Sequence, residues 1–158
     1  MLNALGLLRK RRFLPLFVTQ FLGAFNDNLF KQAIVLFATY QIFSDAQAEQ
    51  NFNALATAIG IIPFFVLSAL SGQLADTSDK ARIIRIVKTA EIGIMIFGAA
   101  GVFVAQAGWI NLGLAMMLGA VLLLGTHSTF FGPIKYAILP QHLKEDEVLG
   151  GTGLVEAG

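Results

Sequence analysis

Cysteine is absent from this 158-residue chain, which excludes disulfide frameworks, thiolate metal sites and thiol nucleophiles. Charge is scarce too, with 13% of residues charged where water-soluble domains carry about 25%. There are one tryptophan, two tyrosines and four prolines. The two histidines, His127 and His142, lie too far apart in sequence for metal-ligand spacing. No catalytic residue, metal or cofactor is expected, and no nucleic-acid partner: the chain does not read as an enzyme.

What fills the chain is apolar. Hydrophobic residues make up 56% of it and the mean hydropathy is +0.70, more than one water-soluble core needs. A hydrocarbon layer takes about 20 helical residues to cross. Four segments reach that length: 13–43, 52–71, 83–106 and 109–131. A fifth begins near Val148. The expected fold is therefore an all-α membrane protein of four transmembrane helices and the start of a fifth. Its single unit, 1–158, reads as a partial N-terminal transmembrane domain of a longer protein, because the sequence stops inside a helical pattern. The basic run Arg9-Lys10-Arg11-Arg12 precedes an apolar stretch too long for a signal peptide, so this is a retained first span. Pro63 predicts a kink in span two. Trp109 suits a membrane interface.

Basic residues set the orientation. Arg9, Lys10, Arg11, Arg12, Lys80, Arg82, Arg85, Lys135 and Lys144 all fall on one side of this topology, and the connections 44–51 and 107–108 hold none. The N-terminus is thus expected in the cytoplasm. The remaining basic residues, Lys31 and Lys88, lie within spans.

Charges inside spans point to function, since each costs several kcal/mol to insert. Asp27 and Lys31 are four residues apart and share a helix face with Gln20 and Ala24. That stripe reads as a polar cavity wall for a zwitterionic or anionic head group, and as an Asp27–Lys31 ion pair in the plainer reading. Asn26 and Asn28 are expected to bridge neighbouring helices. Lys88 and Glu91, three residues apart in span three, suggest a pair, with Lys88 also able to reach the interface. Proton coupling at Asp27 or Glu91, the other role open to an intramembrane acid, needs a raised carboxyl pKa. Lys135 follows Gly132-Pro133, read as a helix-breaking pair, and could meet a lipid phosphate. His127, Ser128 and Thr129 read as interhelical hydrogen-bonding groups rather than a proton relay. The run Lys144-Glu145-Asp146-Glu147 reads as a solvated loop before an acidic helix start. Glycines 93, 98, 101, 113, 119 and 125 read as points of close helix approach.

The stretch Gly72-Gln-Leu-Ala-Asp76-Thr-Ser-Asp-Lys80-Ala-Arg82 resembles the loop signature of the major facilitator superfamily, with Thr77 and Asp79 departing from its usual pattern. Ala24-Phe25-Asn26-Asp27-Asn28, Gly132-Pro133-Ile-Lys135-Tyr136-Ala-Ile-Leu139 and Gly153-Leu154-Val155-Glu156-Ala157 resemble the bacterial lysophospholipid transporter family. The resemblance implies twelve helices in two six-helix halves around a central cavity. This chain would supply the first four helices and the start of the fifth. The rest of the carrier, or another chain, would be needed for transport.

The resemblance implies a secondary carrier in the bacterial inner membrane, moving lysophospholipids by alternating access among membrane lipids. Other implied readings are a major facilitator carrier of another small molecule or drug, and the transporter portion of a bifunctional lysophospholipid acyltransferase. Relatives exist both alone and fused to acyltransferase and acyl-carrier-protein synthetase domains. The candidate translocation residues are Asp27, Asn28, Lys31, Lys88, Glu91 and Lys135. Gly72, Asp76, Lys80 and Arg82 are the candidate gating loop, in which an acid would meet a helix's positive end.

Overall fold

A computed structural model describes residues 4–157; residues 1–3 and Gly158, the ends of the expected unit, lie outside the described residues. A 3-10 helix (Ala4–Arg9) leads into α1 (Leu14–Phe37), which ends in a π-helical turn (Ala38–Ile42). Four further helices and one short turn follow: α2 (Ala46–Thr77), α3 (Lys80–Gln106), α4 (Ile110–Ala137), the turn α5 (Leu139–His142) and α6 (Glu145–Ala157). No strand occurs among the described residues.

Helix ends follow local chemistry. Pro15 occupies the first turn of α1, where its missing N–H costs nothing. Asp45 caps α2 by accepting from the Ala48 amide at 3.0 Å. Asp79 caps α3 by accepting from the amides of Ala81 and Arg82 at 2.9 and 3.2 Å. Gly108 turns the chain from α3 into α4 at φ +96°, a conformation that favours glycine.

Two expectations about breaks are corrected. The segment from Gly72 to Arg82 is not a loop: Gly72 and Asp76 belong to α2, Lys80 and Arg82 to α3, and only Ser78 and Asp79 lie between. Gly132-Pro133 does not end its helix, since α4 runs on to Ala137. A proline removes one backbone donor, and packing against neighbouring helices lets a membrane helix continue through it. Pro63 likewise lies within an unbroken α2 and is buried.

Among the described residues, α2, α3 and α4 are long and apolar enough to cross a membrane. α1 has the length, 24 residues, but Gln20, Asn26, Asp27, Asn28, Lys31 and Gln32 dilute its hydropathy and it is not among those three.

α4 is the centre of the bundle, packed against α3 on one side and α2 on the other. Small residues set the closeness of both crossings. A Cβ on Gly101 would meet the Gly113 carbonyl oxygen at 3.1 Å, and one on Gly125 would run into the backbone of Gly60. Gly93, by contrast, has nothing within 4 Å and plays no part in that approach. Near the Gly108 end the core is built from Ile34, Phe52, Ala105, Met117 and Val121. Near the Asp79 end it is Ala75, Ile83, Val87, Phe131 and Ile134. α1 lies across this group and touches α2, α3, α4 and α6. The surface left over carries many exposed large hydrophobics, Phe65, Val66, Ile96 and Phe103 among them, as a lipid-facing bundle requires.

Candidate substrate site

The polar residues of α1 are divided between two cavities. Asp27 points toward α4, where Ser128 Oγ donates to its Oδ2 at 2.9 Å. Among the described residues no ion pair joins Asp27 to Lys31, so the plainer reading of that pair is not what the fold adopts. Lys31 opens instead into a cavity of about 250 Å³ between α1, α2 and α4, lined by Asn28, Gln32, Thr57, Phe64 and Val121. Asp27 lines a second cavity, about 340 Å³, with Gln20, Lys88, His127, Lys135 and Glu156. Phe64 borders both.

Glu91 is the hub behind the second cavity. It accepts from Lys88 Nζ at 2.7 Å and from Asn26 Nδ2 at 2.9 Å. His127 Nε2 stands 3.3 Å from its Oε2, at ion-pair distance without hydrogen-bond geometry. One buried carboxylate on α3 thereby ties to α1 and α4, and paired charge is the only kind that a dry helix bundle holds cheaply. The Lys88 ammonium also lies 4.7 Å from the Phe131 ring centroid, a cation–π contact. Its space comes from Gly23 of α1: a Cβ there would collide with the Lys88 amine.

The expected bridging by asparagine holds for Asn26 and fails for Asn28, whose Nδ2 donates to the Ala24 carbonyl of its own helix at 2.9 Å. Of the polar triplet on α4, Ser128 bonds across to α1, whereas Thr129 bonds back to the Gly125 carbonyl. Among the described residues His127 finds no hydrogen-bond partner at either ring nitrogen. Gln20 Nε2 and Asp27 Oδ1, both buried at the same cavity, are also without partners.

At the α6 side of the cavity, Lys135 Nζ lies 4.8 Å from the Tyr136 ring, and Tyr136 donates its hydroxyl to Glu156. α6 is held in place by a contact that the sequence conceals. Glu147 is no solvated loop residue: it is 4% exposed and paired with both Lys10 and Arg12. Leu7, Phe13, Leu139, Leu143 and Val155 pack beneath that clasp. The Lys10 hydrogen bond holds the Glu147 carboxyl below the usual carboxylate range, against the opposing effect of desolvation.

The candidate gating residues do not converge. Asp76 and Arg82 are exposed, and no ion pair involves Asp76, Lys80 or Arg82 among the described residues. The acid at a helix N-terminus is Asp79, not Asp76, which sits in the last turn of α2.

Comparison with known proteins adds a second line of information. The chain is 30% identical over 145 residues to the Lysophospholipid transporter LplT of Salmonella newport (strain SL254). It shows the same identity and length of match to the proteins of that name from Salmonella schwarzengrund and Salmonella typhimurium. The chain is similar to lysophospholipid transporters. The match takes in 91% of this chain and 32% of the relative, so the chain spans about a third of the length of the curated relatives it matches. No family model and no solved structure matches the chain. With three long apolar helices and this similarity, it is a multi-pass membrane protein.

Proposed function

We propose that this chain is part of a secondary carrier of the major facilitator superfamily that moves lysophospholipids across the bacterial inner membrane by alternating access. The observation that carries the reading is the cavity beside α1. Within an apolar bundle it gathers two carboxylates, two ammonium groups, an imidazole and a carboxamide. Intramembrane ionisable groups are expensive and are kept where a polar substrate passes. The similarity to proteins named lysophospholipid transporters, over nearly the whole chain, supplies the substrate class.

In this reading α1 is a fourth span, its N-terminus faces the cytoplasm and α6 opens a fifth. Asp27, Lys88 and Lys135 meet the head group. Lys31 and Asn28 front the neighbouring cavity, whose apolar walls suit the acyl chain. Gly72, Asp76, Lys80 and Arg82 form the cytoplasmic hinge between α2 and α3. A wall facing α1 comes from further helices of the carrier or from another chain.

The test is uptake of a labelled lysophospholipid into spheroplasts that express the full-length carrier, with the diacyl lipid and an unrelated drug as competitors. Saturable uptake blocked by unlabelled lysolipid alone supports the proposal. Uptake no greater than in cells lacking the carrier sinks it.

A further inference from the structure

The two cavities beside α1 follow one another along its length. The α1 residues that line the Asp27 cavity fall within 20–27, and those that line the Lys31 cavity within 28–35. α4 repeats the order from its other end, with Val121 at the Lys31 cavity and His127 to Lys135 at the Asp27 cavity. Among the described residues, Phe64 of α2 alone lines both. Its side chain is 42% exposed, so the ring stands at their border instead of filling a helix contact. The border is held in place on either side. One turn before Phe64, Gly60 meets Gly125 of α4, and Ser128 of α4 bonds to Asp27 of α1.

Neither cavity is large. They measure about 340 and 250 Å³, where pockets that enclose a drug-sized ligand run from about 300 to 1,000 Å³. A single-chain phospholipid is longer than such a ligand and has to occupy both. Its head group suits the charges of both signs at Asp27, Lys88, Lys135 and Glu156, and its chain the apolar wall of Val35, Ile61 and Val121. The glycerol that joins them then lies at the border, beside Phe64. Glycerol is also where a lysophospholipid differs from a diacyl phospholipid: one carries a free hydroxyl where the other carries a second acyl chain.

We propose that Phe64 selects single-chain over two-chain phospholipids, its ring filling the space that a second acyl chain needs at the glycerol. The inference rests on the carrier reading above and adds to it the residue that sets the substrate class. The selection is repulsive: it works by a clash with the wrong lipid and needs no contact reserved for the right one.

The experiment measures binding of labelled lysophosphatidylethanolamine to the purified full-length carrier in detergent. The label is displaced by unlabelled lysophosphatidylethanolamine or by diacyl phosphatidylethanolamine of the same chain length. The readout is the ratio of the two half-displacing concentrations, which a general loss of structure does not shift in favour of the bulkier lipid. In the wild type the diacyl lipid should be weaker by roughly 100-fold, the scale on which an apolar pocket discriminates by size. Phe64→Ala should narrow that gap to about tenfold or less by removing most of the clash. Phe65→Ala truncates a neighbouring ring that is 80% exposed and lines neither cavity, and should keep the wild-type ratio. An absence of saturable lysolipid binding overturns both readings. Saturable binding with the wild-type ratio retained in Phe64→Ala overturns the role of Phe64 and leaves the carrier standing. So does a wild type displaced equally by the two lipids, or a gap that Phe65→Ala closes as far as Phe64→Ala. Should Phe64→Ala fail to fold, as judged by size exclusion, Phe64→Leu decides by the same ratio.

Discussion

Ser128 of α4 donates a 2.9 Å hydrogen bond to Asp27 of α1, and it is the only side-chain bond to that acid among the described residues. Serine thus fixes one oxygen of a carboxylate whose other oxygen has no partner. Replacing it leaves a buried charge without a donor. Ser128→Ala in the full-length carrier should cost about 1–3 kcal/mol, read as a lowered thermal midpoint in detergent. An unchanged midpoint would mean that water serves Asp27 equally well.

Helix crossing at Gly125 gives a prediction with an internal control. A methyl group there meets the Gly60 backbone, which cannot swing aside, so Gly125→Ala should cost about 1–3 kcal/mol through forced separation of α2 and α4. Gly93→Ala meets nothing within 4 Å and should be neutral or stabilising by about 0.5–1 kcal/mol. Thermal unfolding of both variants checks the ranking; equal effects would contradict the crossing.

The Glu147 clasp predicts a pH dependence confined to acid. Its carboxyl is held below the ordinary value of 4.5, chiefly by the Lys10 hydrogen bond. A group lowered in the folded state contributes its full stabilisation above that ordinary value. The contribution is lost as pH falls through the lowered one. Protease nicking after Arg9 or Arg11 should therefore stay slow from neutral pH down to the carboxylate range and rise below it. Glu147→Gln should be nicked quickly at every pH. Equal nicking of wild type and variant at neutral pH would show that apolar packing alone seats the N-terminal segment.

Sequence spacing carried the local part of this site. Lys88 and Glu91, three apart, form the pair that a helix turn implies, and Asn26 bridges helices as a span-embedded amide should. What spacing could not supply was which helix stands opposite. Asp27 and Lys31 share a periodic stripe, yet α4 claims the first while the second turns to a different cavity. Glu147 looked solvated because its partners lie more than 130 positions away, at Lys10 and Arg12. The turn at Asp79 read as a longer loop because the apolar run ends at residue 71 and the stretch from Gly72 resembles a loop signature, whereas packing of Ala75 against α3 and α4 keeps α2 helical to Thr77. Gln20 and His127 had a signal in hand, a polar residue in an apolar helix; their unpartnered atoms needed the fold to be seen.

The central claim is that the cavity beside α1 carries lysophospholipid, and Asp27→Asn tests it most directly. The amide keeps the size of the side chain and removes its charge. Initial lysophospholipid uptake should be measured in spheroplasts expressing wild-type or D27N full-length carrier at matched membrane abundance. The account predicts loss of uptake by at least tenfold with abundance and oligomeric profile unchanged. Uptake at the wild-type rate would contradict it, leaving Asp27 as a packing group of α1 and α4 alone.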